Sequence, residues 1–157
     1  MGSALKMPPS RGPFKTRLRK DRSIHGRSLG MSADSAARMI QHVEKGFPYA
    51  TIDRFHRTSG LALGNIAELV RIPHRTLMRR KAKGRLRPEE SERLLRVSGI
   101  FERALDLFAG DTDAARHWLT TPSEELSNHS PLEFARTELG AREVEDFITR
   151  LEHGVFT

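Results

Sequence analysis

Between positions 71 and 87 the chain carries Arg71, Arg75, Arg79, Arg80, Lys81, Lys83, Arg85 and Arg87, and no acid. A guanidinium fork bonds two oxygens at once, on a phosphate or on the major-groove edge of guanine, whereas an ammonium acts as a point charge on phosphate. A run of this kind is the chemistry of nucleic-acid binding. Arg75, Thr76, Arg79 and Arg80 are expected to point outward at the front of a groove-lying helix, with Arg71 at the turn before it. Lys81, Lys83 and Arg85 are placed for phosphates. No other set of side chains suggests a reaction. The histidines, at 25, 42, 56, 74, 117, 129 and 153, have no metal-ligand spacing and no His-Glu-x-x-His arrangement, and there is no cysteine. A nucleophile elbow and a phosphate-binding glycine loop are also missing, so neither an enzyme, a metal nor a cofactor is expected.

The elements that must position these cations read as a helix-turn-helix over residues 63–80. Ala67 is small where two helices approach, Ile72 fills the turn from beneath, Pro73 starts the second helix and Leu77 anchors it. Two positions depart from the usual pattern. Arg71 stands where the turn commonly has glycine, so either it accepts a strained backbone or the turn takes another form. Arg80 stands where a late apolar anchor is common. The alternative for the same residues is a solvated basic hairpin in a helical bundle.

Flanking sequence reads as further helices. Ser32 caps one that buries Ala36, Met39, Ile40 and Val43 and stops at Gly46; Pro48 opens a second, with Tyr49, Ile52 and Phe55 inward, ending at Gly60. Pro88, followed by Glu89 and Glu90, opens a long helix whose stripe of Leu94, Val97, Phe101, Leu105 and Phe108 runs to Gly110. Asp111 caps a helix through Trp118 and Leu119, both expected in the core. Ser130-Pro131 starts another that ends at Gly140, and Val144, Phe147, Ile148 and Leu151 mark the last. Nothing alternates with period two for long enough to be a strand, so the expected fold is all-α.

The 157 residues have a net charge of +7, and this total conceals an asymmetry. Residues 1–30 carry +7, residues 31–60 carry +1, residues 61–100 carry +6, and residues 101–157 carry −7. Two surfaces of opposite sign are suited to two partners. Residues 1–30, rich in Pro, Gly and Arg, read as a flexible basic arm that is either a disordered leader or a DNA contact. Residues 31–86 form the helix-turn-helix domain, and residues 87–157 the long helix with a C-terminal domain. With no secretory or membrane-spanning run, the expected compartment is the cytoplasm and no membrane partner is expected.

With Arg75-Thr76-Leu77-Met78-Arg79-Arg80-Lys81, Gly84-Arg85-Leu86 and Glu90-Ser91-Glu92-Arg93-Leu94 in order, the chain resembles the Xre/MbcA/ParS family of antitoxins. Ala114-Ala115, Trp118-Leu119, Pro131-Leu132, Thr137-Glu138, Gly140 and Gly154-Val155-Phe156 extend the resemblance over the second half. It implies a bacterial type II antitoxin: a helix-turn-helix part that represses its own operon, joined through a long central helix to a small helical part that silences a RES-domain toxin. Such toxins resemble ADP-ribosyltransferases and act on NAD. The resemblance also implies a homodimer within a toxin–antitoxin complex, bound to operator DNA. The toxin-binding residues carried over are Glu145, Ile148, Leu151, Glu152, His153, Gly154, Val155 and Phe156, with the segment from Glu152 onward blocking the toxin's active site. Acids near the end, Glu143, Glu145, Asp146 and Glu152, suit a site built to hold a pyrophosphate. The same acids read equally as a solvated helix face, and the tail as a cap that tucks Phe156 against the body. Two alternatives stand beside this one: a transcriptional regulator without a toxin partner, and a protein-interaction module that has lost DNA binding.

Overall fold

A computed structural model describes residues 26–154. These residues form eight α-helices: α1 (Ala36–Lys45), α2 (Ala50–Ser59), α3 (Leu63–Leu69), α4 (His74–Lys83), α5 (Pro88–Leu107), α6 (Thr112–Thr120), α7 (Pro131–Phe134) and α8 (Glu138–Glu152). Two short 3₁₀ turns, Arg27–Leu29 and Glu124–Leu126, complete them. Among the described residues there is no strand, only isolated bridges at Pro48–Arg85 and Ser123–His129. The all-α expectation holds.

α5 is the spine. Twenty residues at about 1.5 Å each make it roughly 30 Å long. It packs against α1, α2 and α3 and also against α6 and α8, so one continuous core spans both halves of the chain. Leu94, Val97, Ile100, Phe101 and Ala104 are buried along it, and Phe101 meets Phe55 of α2 edge to face at 5.6 Å. Pro88 at the first turn costs no hydrogen bond there. The Glu90 carboxylate accepts from the Arg87 N–H at 2.8 Å, so the third helical residue caps the start of α5.

Four details differ from the sequence reading. α1 starts at Ala36 because Ser35, rather than Ser32, supplies the cap: its Oγ accepts from the Arg38 N–H at 3.2 Å. Ala36 and Ile40 are both exposed, Ile40 at 56%, since the inward face of α1 is set by Met39 and half-buried Val43. The helix opened by Pro131 is a single turn, and Gly140 lies inside α8 instead of ending a helix. Close packing explains that glycine, because an added Cβ would sit 1.7 Å from the Phe134 carbonyl oxygen. Last, residues 26–30 are built into the fold, whereas the sequence groups them with the arm. Buried Glu102 of α5 accepts from the Gly26 and Ser28 N–H groups at 3.2 and 3.0 Å, and Leu29 is buried beside it. The rest of the proposed arm, residues 1–25, lies outside the described residues.

Candidate nucleic-acid interface and the C-terminal surface

α3 and α4 form the expected helix-turn-helix, with Ala67, Val70, Ile72 and Leu77 buried between them and α5. The turn is a Schellman closure. The Ile72 N–H reaches back to the Ala67 carbonyl at 2.9 Å, and the Arg71 N–H to Glu68 at 3.1 Å. Such a closure needs a left-handed residue, and Arg71 supplies it with φ 56°. Burial of Ile72 holds the conformation, which costs an L-residue about 1–2 kcal/mol. Arg93 of α5 fixes the turn from outside by donating its Nε–H to the Val70 carbonyl at 2.6 Å.

At about 100° per residue, the buried side of α4 is centred on Leu77 and Arg80. The opposite side carries Arg75, Met78, Arg79 and Ala82, all exposed, and Lys81 and Lys83 are exposed on either flank. Thr76 is half-buried, and its Oγ1 accepts from Arg79 Nη2 at 3.3 Å. Arg85 is exposed but donates to the Gly46 carbonyl. Beside it the Leu86 N–H bonds Phe47, and the Tyr49 N–H bonds Gly84, so the end of α4 is laced to the α1–α2 connection.

Arg80 corrects the sequence reading, because it does not point outward. Its side chain is 8% exposed, and its Nε donates at 2.7 Å to Glu90 Oε1, itself in a side chain 7% exposed. The reason is register: three residues after Leu77, position 80 falls on the inner side of α4. Glu90, read from sequence only as opening the long helix, takes a second role here as the partner of Arg80. Its signal was an acid in the first turn of α5, next to a helix whose inner face carried a cation.

The C-terminal surface is built by α8 on α5 and α6. Trp118 lies between Phe108 and Phe147, with ring centroids 6.2 and 5.8 Å away, so Trp118 is core. Ile148, expected at the toxin interface, is fully buried and belongs to this core. It lies one residue from Phe147 and four from Val144, on the face turned to α5. Leu151 is half-buried. Glu152 is also held inside the chain, its carboxylate bonded by Arg103 of α5 at 3.2 Å, and the same guanidinium reaches Thr149 Oγ1 at 2.9 Å and the Glu145 carbonyl at 3.4 Å. Arg103 therefore clamps the last turns of α8. Exposed positions on this helix are Glu138, Leu139, Arg142, Glu143, Asp146 and Arg150, followed by His153 and Gly154. Val155 and Phe156 lie outside the described residues.

Residues 38–99 match the family described as Antitoxin Xre-like helix-turn-helix domain, and residues 103–154 match the Antitoxin Xre/MbcA/ParS C-terminal toxin-binding domain. Fold and surfaces thus define a helix-turn-helix protein with a toxin-binding module mounted on its long helix, and neither matched domain is an enzyme. An Antitoxin Xre of Yersinia enterocolitica is 39% identical over 132 residues, 83% of this chain and 89% of that protein. One from Photorhabdus laumondii is 32% identical over 82% of this chain and 88% of its own length, and one from Pseudomonas putida is 33% identical over 53% and 52%. The chain belongs to the Xre antitoxins. Among the described residues no helix is long and apolar enough to cross a membrane.

Proposed function

We propose that this antitoxin neutralises a RES-domain toxin, one acting on NAD, and represses its own operon by binding operator DNA as a homodimer. The observation that carries this reading is the way α5 serves both ends. In its first half Glu90 and Arg93 hold the recognition helix and its turn, and ten residues further on Arg103 holds the end of α8. That separation is about 15 Å along one rigid helix. Arg75, Arg79, Lys81 and Lys83 serve operator DNA, with Arg71 and Arg85 at the margins of the contact. Two such helices one duplex turn apart, about 34 Å, suit a two-fold operator.

On the other surface, burial of Ile148 and pairing of Glu152 move the toxin contact outward. His153, Gly154 and the residues that follow approach the toxin's active site, and Glu143 and Asp146 on the exposed side of α8 face its basic lining. Two charge surfaces of opposite sign support this division between partners. Co-expression with the product of the adjacent gene tests it. The two proteins are expected to co-purify, and removal of residues 153–157 is expected to leave DNA binding intact while abolishing protection. Survival of cells carrying the truncated antitoxin and active toxin would place the block elsewhere.

A further inference from the structure

Met78 is 38% exposed, one of three large apolar side chains so exposed among the described residues. It lies in the middle of the outer side of α4, three residues after Arg75 and four before Ala82, with Arg79 next to it. No acid occurs between Pro73 and Pro88, and Lys81 and Lys83 flank this side. An apolar side chain framed by cations on a helix that fits a major groove meets one apolar group there, the C5-methyl of thymine. Guanine, cytosine and adenine offer only polar edges.

From this placement we infer that Met78 is a specificity-determining residue that covers a thymine methyl in the operator, with the short Ala82 side chain letting the helix axis lie close to the bases. The inference rests on the DNA-binding role proposed above and adds the base that is read. Met78 suits the task because an unbranched thioether adapts its shape to a methyl without needing a hydrogen-bond partner. Arg75 and Arg79 hold the helix in register through phosphates or guanines, and Met78 contributes discrimination between thymine and cytosine at one step of the site. Phosphate contacts alone cannot make that distinction.

The test uses the full chain and the DNA immediately upstream of its own reading frame, amplified once with dTTP and once with dUTP. Uracil pairs as thymine does and lacks only the methyl. Wild-type protein is expected to bind the uracil fragment less tightly, by about fourfold for each methyl covered. Met78→Ser is expected to bind the two fragments alike, and Met78→Leu to recover most of the preference. Because Met78 is exposed, both variants should melt with the wild-type protein, as read by Trp118 fluorescence. Equal wild-type affinity for the two fragments overturns the methyl contact and leaves DNA binding standing. A preference that survives in Met78→Ser overturns it too, by assigning the methyl to another residue. Failure of wild-type protein to bind either fragment overturns the DNA-binding role itself.

Discussion

Arg80 and Arg79 are neighbours of identical type, and the fold predicts opposite consequences for their loss. Arg79 is exposed on the outer side of α4, whereas Arg80 and Glu90 are an ion pair more than nine-tenths buried. Removing one member of a buried pair strands the other charge, typically at about 3–5 kcal/mol. A domain of this size holds about 5–15 kcal/mol in total, so Arg80→Met is expected to consume about a fifth or more of it. With roughly 2–4 °C per kcal/mol, Tm should fall by about 10 °C. Arg79→Ala should leave Tm within about 1–2 °C and weaken operator binding about tenfold or more, as expected for one guanidinium contact. The double variant Arg80→Met with Glu90→Gln removes both buried charges and keeps an amide oxygen to accept from the Arg87 N–H. It should regain most of the lost stability. Thermal melts followed by circular dichroism and gel-shift titrations separate the two effects. If Arg80→Met melts with the wild type and loses as much DNA affinity as Arg79→Ala, then Arg80 turns outward on DNA and the reasoning about its pairing fails.

Gly140→Ala should destabilise by at least about 1–3 kcal/mol, because the new Cβ meets the Phe134 carbonyl. Helix propensity alone predicts a gain of about 1 kcal/mol, so the sign of the denaturant-midpoint shift decides between them. Arg71→Gly should raise stability by up to about 1 kcal/mol by relieving the left-handed strain, and Arg71→Val should lower it. A urea midpoint that falls for glycine would show that the Arg71 side chain stabilises the turn. Burial pushes the phenol of Tyr49, the one tyrosine of the chain, above its ordinary range, and the nearby Asp53 carboxylate adds to this. A raised folded-state value favours the neutral phenol. Its contribution to stability is therefore complete below the ordinary tyrosine value of about 10 and disappears as pH rises through the folded-state value. Phenolate absorbance should appear late, together with unfolding; ionisation near pH 10 in a still-folded protein would contradict that burial.

Helix identity was legible because proline and glycine punctuate this chain. Pro88, Gly60, Gly84 and the Asp111 cap stand where the helices begin and end. Arg71 was legible in part: the sequence offers a strained residue or a turn of another form, and a φ of 56° decides for the strained residue. Gly140 was misread because a glycine required for close approach looks, in sequence, like one required for chain reversal. The surface proposed above to face the toxin was the least legible part. A helix of mixed charge gives little sign of which carboxylates are already engaged, and Arg103, which engages Glu152, lies 49 residues away.

By itself, then, the sequence determined the elements, the helix-turn-helix, the charge asymmetry and the family, because each is written in local spacing or composition. Tertiary structure alone decided which charges remain available to partners. Arg79 and Arg80 differ by about 100° of helical rotation, and Glu143 is exposed whereas Glu152 is paired with Arg103. Burial next to a partner converts a surface cation into a structural one, and that conversion depends on contacts between segments that are remote along the chain.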